Sequence, residues 1–74
     1  MTTAGLQEQY LNAIRKNSIP ATFYLVNGFQ MKGLIKAFDN FTIVIESGGA
    51  QQMVFKHAIS TIIPHTPINL SELG

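Results

Sequence analysis

The sequence predicts a mainly β domain: one short N-terminal α-helix, then a strongly bent five-stranded antiparallel sheet that curls into a small open barrel. Three observations carry this. The apolar period changes from helical to strand-like after Pro20. Turn-forming stretches then recur at short intervals, at Asn27-Gly28, Asp39-Asn40 and Ser47-Gly48-Gly49. Gly33 interrupts the longest β-like run, where a bend or a close backbone approach needs a residue without Cβ.

Each element follows in order. Residues 1–5 are expected to fray. Leu6, Tyr10, Leu11 and Ile14 then fall on one helical face, with Glu8 near the positive end of the helix dipole and Arg15 and Lys16 near the negative end. Asn17 and Ser18 break the helix, and Pro20 prevents its continuation. Thr22–Val26 reads as the first strand, and Asn27-Gly28 as a two-residue type I′ turn with positive φ at both positions. The second strand, Phe29–Phe38, would put Phe29, Met31, Ile35 and Ala37 on one face and Gln30, Lys32 and Lys36 on the other. Phe41–Glu46, Gln51–Lys56 and Ile59–Ile63 complete the sheet, and Pro64 stops it. The domain therefore spans 6–64, and residues 65–74 read as a disordered tail.

Composition limits what such a domain can be. At 74 residues a lone chain is marginally stable, and with no Cys it has no disulfide and no thiolate metal site. Hydrophobic residues make up 46% and charged residues only 12%, so part of the apolar surface is expected to lie between subunits. No apolar run approaches the ~20 residues of a membrane span, and a cytoplasmic location is the default expectation. The net charge of +1 decides nothing by itself, because symmetry would repeat any local patch.

The run Phe55-Lys56-His57-Ala58-Ile59-Ser60-Thr61 sets a cation beside a group that titrates near neutrality, in a segment otherwise built for packing. The pair suits an anionic or hydrogen-bonding ligand, although charged residues at strand ends are often only solvated. Catalysis lacks a partner, since no Ser, Cys or paired carboxylate is placed beside His57. Two His residues far apart make a poor zinc site, so neither metal nor cofactor is expected. Tyr24, Phe29 and Met31 are, on residue type alone, packing residues.

The segments Leu6-Gln7-Glu8 with Leu11-Asn12, Tyr24 through Gly33, Phe38-Asp39-Asn40-Phe41 and Phe55 through Thr61 together resemble the bacterial Hfq family of Sm-like RNA chaperones. The likeness runs in order from about Leu6 to Pro64. It implies the Sm-like fold and a homohexameric ring that pairs the fourth strand of one subunit with the fifth of the next. It implies single-stranded RNA, small regulatory RNAs and messages, as the partner.

On the proximal face the resemblance assigns Lys56 and Gln7 to a uracil edge, His57 to phosphate or ribose, and Phe41 to base stacking, so that U-rich 3′ ends wind around the pore. On the distal face it assigns A-rich RNA to Tyr24, Leu25, Asn27, Gly28, Phe29, Gln30, Met31, Lys32, Gln52 and Thr61. Asn12, Arg15 and Lys16 would form an RNA-contacting rim. The family's strongest annealers carry an acidic and a basic residue where Asn17 and Ser18 stand, which implies weak annealing here. Asp39 is expected to cap its own turn. Phe55 stands where the family commonly has Tyr. The alternative reading is a ring-forming Sm-like scaffold with weak or vestigial RNA binding.

Overall fold

The computed structural model describes residues 5–72, so the expected fraying of 1–4 falls outside it. Helix α1 spans Leu6–Lys16, with Gly5 at its N-cap, Glu8 in the first turn and Arg15 and Lys16 in the last. Its inward face buries Leu11 and Ile14, whereas Leu6 remains 68% exposed. The helix ends in a Schellman arrangement: the Ser18 amide donates to the Arg15 carbonyl and the Ile19 amide to the Ile14 carbonyl. Ser18 holds the left-handed position with φ 52, a place usually taken by glycine.

Five antiparallel strands follow: β1 (Ala21–Leu25), β2 (Gln30–Phe38), β3 (Thr42–Ser47), β4 (Ala50–Phe55) and β5 (Ile59–Pro64). Their spatial order is β4-β3-β2-β1-β5. Strand β2 is shared: residues 30–33 pair with β1, while Leu34, Ile35, Ala37 and Phe38 pair with β3. Gly33 sits at the crossing. A Cβ there would overlap the Glu46 carbonyl oxygen and stand 2.9 Å from the Ile45 Cγ2, which accounts for the absence of a side chain. The strands thus enclose one core of Leu11, Ile14, Ala21, Phe23, Ile35, Ile43 and Ile45, with Phe23 its largest fully buried member. Burying each large side chain contributes about 1.5–3 kcal/mol before entropy is counted.

Four local expectations need correction. The register of β2 against β3 shifts between Ile35 and Ala37, so the alternation changes phase. Ala37 is exposed and Phe38 turns to the core, while Phe29 precedes the strand and is 70% exposed. The β1–β2 turn is not type I′, because Gly28 (φ 95) has positive φ and Asn27 does not. It is a three-residue loop in which the Gly28 amide donates to the Leu25 carbonyl, the Leu25 amide donates to the Phe29 carbonyl, and Asn27 Oδ1 accepts from the Phe29 amide.

Lys56 does not continue β4. Lys56–Ala58 form one turn of 3₁₀ helix that joins β4 to β5, two strands that stand at opposite ends of the sheet order. The stretch after Pro64, expected to be disordered, is laid against the domain as far as it is described. The His65 amide donates to the Pro20 carbonyl, its Nε2 lies 3.0 Å from Thr22 Oγ1, and Ile68 packs on the core. Thr22 is otherwise the one buried polar residue among those described, and the tail supplies its partner.

Candidate nucleic-acid interface

The turn after β2 is built by one carboxylate. Asp39 Oδ1 accepts hydrogen bonds at 2.8 Å from the Phe41 amide, the Thr42 amide and the Thr42 hydroxyl. The Phe41 amide bond, then the two Thr42 bonds, hold its carboxyl below the usual carboxylate range, and the Lys56 charge adds the smallest contribution. The capping role expected of Asp39 is therefore its geometry. The loop it stiffens leaves the Phe41 ring 74% exposed, held out from the core rather than packed into it.

Next to this ring, the Lys56 amide donates to the Phe41 carbonyl at 2.7 Å. That bond ties the 3₁₀ turn to the Asp39 turn. Gln7, from the first turn of α1, completes the group. Gln7, Asn40, Phe41, Lys56 and His57 line one shallow pocket of about 300 Å³. The four side chains expected to share a site thus converge from three separate stretches of chain. Asn40 joins them without having been singled out, and only its adjacency to Phe41 hinted at this. Two further aromatic rings stand beside Lys56 and His57. The Phe55 and His57 rings stack with centroids 5.7 Å apart, and Lys56 Nζ lies 5.3 Å from the Phe38 centroid. A flat ring, a flexible ammonium, an amide and an imidazole around an open hollow can stack a planar base and hydrogen-bond its edge and backbone.

A second set lies on the outward side of β1. Gln30, Tyr24 and Thr61 are cross-strand partners in one exposed row. Phe29, Asn27 and Gly28 stand at its end in the β1–β2 loop, and Leu25 is half-buried beside a register shift. Lys32 is exposed opposite Thr22. Two residues depart from this cluster. Met31 pairs with Phe23 and packs against the core. Gln52 is exposed on β4 opposite Ile45, at the other edge of the sheet, and does not meet Tyr24 within one chain. Along α1, Asn12, Arg15 and Lys16 are all exposed, and Arg15 donates to Asn12 Oδ1 at 2.5 Å, which fixes the guanidinium. Among the described residues there is no cluster of three or more metal-ligating side chains.

Residues 6–69 match the family model described as Hfq protein. The chain belongs to the Hfq family. It is 65% identical over 66 residues to RNA-binding protein Hfq of Desulfitobacterium hafniense, covering 89% of this chain and 80% of the relative. It is 60% identical over 68 residues to the protein of that name from Brevibacillus brevis, covering 92% and 86%. Among solved structures it resembles the crystal structure of the pleiotropic translational regulator Hfq, with a TM-score of 0.78 and 37% identity, covering 80% of this chain and 98% of that one. An Hfq protein from Anabaena shares the fold, with a TM-score of 0.72 at 24% identity, covering 78% and 93%. The helix and five-stranded sheet are thus the Hfq fold. No described helix is long and apolar enough to cross a membrane.

Proposed function

We propose that this Hfq-family chain assembles edge to edge into a six-membered ring and acts as a chaperone for single-stranded RNA, with no cofactor and no catalytic step. One observation carries the reading: Gln7, Phe41, Lys56 and His57 converge on a single open pocket. A uracil stacks on Phe41 while Lys56 and Gln7 bond its edge, and His57 meets the backbone. Each pocket is weak, and repetition around a ring raises the effective concentration for a U-rich 3′ end. The opposite surface takes A-rich RNA, with Tyr24 and Phe29 stacking purines and Gln30 and Thr61 offering polar groups. Gln52 joins this surface from a neighbouring subunit.

Ring formation is supported by the two free edges. Each of β4 and β5 pairs with one strand only, and β4 carries exposed Met53 and Phe55. The rim residues Asn12, Arg15 and Lys16 contact RNA bodies, and the ring works in the cytoplasm to promote pairing of small RNAs with messages. The relatives' name, RNA-binding protein Hfq, agrees with this.

Lys56→Ala tests the division of faces. A hydrogen bond from a charged group contributes about 1.5–3 kcal/mol, so U-rich affinity falls at least about tenfold while A-rich affinity stays near wild type. Fluorescence anisotropy with both oligonucleotides reads the two. Equal loss for both would sink the two-face model.

A further inference from the structure

The Lys56 ammonium lies 5.3 Å from the centre of the Phe38 ring. Phe38 is not a surface residue lent to this task. It pairs with buried Ile43 across β2 and β3 and packs against the core, so its ring is fixed from behind. The lysine backbone is fixed as well, by the amide bond to the Phe41 carbonyl. Only the side chain between these two anchors is free to choose a rotamer. No described carboxylate stands within salt-bridge distance of Lys56. The one ion pair among the described residues joins Lys36 to Glu46 on the outer side of the sheet. Asp39 forms no salt bridge with Lys56, and its Oδ1 is engaged by Phe41 and Thr42.

The geometry points to Phe38 as a positioning residue that holds the Lys56 ammonium at the mouth of the candidate uracil pocket. This rests on the RNA-binding reading given above and adds a residue to it. The chemistry favours a ring over a carboxylate for the purpose. An aromatic face attracts a cation through its quadrupole without neutralising it, so the ammonium keeps its donors for an incoming ligand. A carboxylate would hold lysine in place but would also compete with a carbonyl or phosphate oxygen. The phase change in β2 is what makes the arrangement possible. Without the register shift between Ile35 and Ala37, the residue facing inward at the end of β2 would be Ala37, which has no ring.

The test compares Phe38→Leu with Phe38→Tyr in the assembled protein. Leucine fills most of the core volume but removes the π face, and tyrosine keeps the face. Loss of a cation–π contact at an accessible site weakens a ligand that spans one pocket about 2- to 5-fold, and a longer oligouridine more. Anisotropy with oligouridine should show this loss for the leucine variant and recovery for the tyrosine variant, with oligoadenine binding unchanged in both. The second readout is independent of RNA. With ¹³C-labelled lysine, the Lys56 ε-methylene protons should resonate upfield from ring current, and the shift should vanish in Phe38→Leu.

Wild-type oligouridine affinity in Phe38→Leu, or an ordinary ε-methylene position in the unmutated protein, would overturn the proposal. Parallel loss of both oligonucleotides would reassign Phe38 to packing alone and overturn it too. Should leucine prevent folding, Phe38→Met fills the site and takes its place in the same comparison. If the unmutated protein bound neither oligonucleotide, the RNA reading would fail, while the lysine resonance would still decide whether Phe38 holds the ammonium.

Discussion

Gly33→Ala is the substitution for which the geometry gives the plainest magnitude. The new methyl group would stand 2.9 Å from Ile45 Cγ2 and overlap the Glu46 carbonyl oxygen. The isoleucine could adjust, but Ile45 is fully buried and the carbonyl belongs to backbone. Relief therefore requires β3 to move away from β2 at the point where Leu34 faces Glu46 and Ile35 faces Ile45. Overfilling a packed site costs about 1–3 kcal/mol. Stretching one or two ladder bonds adds roughly 1 kcal/mol each. The sum, about 2–5 kcal/mol, compares with a total stability of roughly 4–11 kcal/mol for a domain of this length. Urea unfolding followed by circular dichroism, at fixed subunit concentration, measures it. A free energy within about 0.5 kcal/mol of the parent protein would show that the sheet does not turn on this close approach.

Two further outcomes follow from local geometry. Ser18→Gly should stabilise the fold by about 0.5–1 kcal/mol, because removing Cβ relieves a left-handed residue by more than the added unfolded-state entropy costs. The urea midpoint should rise at unchanged slope, and a fall would show that Ser18 is not strained. Asp39 contributes to pH dependence with a definite sign. Its folded carboxyl titrates below the unfolded one, so its stabilisation is present above the ordinary carboxylate pKa of roughly 4 and is lost as pH falls through the folded value. Asp39→Asn should flatten the acid limb of the thermal midpoint below about pH 5, and an unchanged limb would assign the acid sensitivity to other carboxylates.

The sequence was most legible where a pattern is long or a turn residue has one use. The helix, the five strands and the Asp39 turn needed only periodicity and local chemistry. The β2 register shift was invisible, because Ile35, Lys36 and Ala37 fit an unbroken alternation with Lys36 outward, and only pairing with β3 reveals the extra residue. The 3₁₀ turn at Lys56–Ala58 escaped notice because it contains neither Gly nor Pro. The tail read as unstructured because its contacts are long-range, from His65 to Thr22 and from Ile68 to the core. For the site, the resemblance named Gln7, Phe41, Lys56 and His57, and folding brings them together. Asn40 and Phe38 required three-dimensional placement. Gln52 shows the limit of a single chain, since its proposed companions stand at the other edge of the sheet.

One backbone hydrogen bond bears on how the two proposed RNA surfaces relate. The Val26 amide, in the loop beside Tyr24 and Phe29, donates to the Ala58 carbonyl of the Lys56–His57 turn at 2.8 Å. The surfaces differ in chemistry but are joined by one backbone hydrogen bond that does not run through the core. Linkage then fixes the form of any communication: whatever factor a U-rich strand imposes on A-rich affinity, the A-rich strand imposes in return.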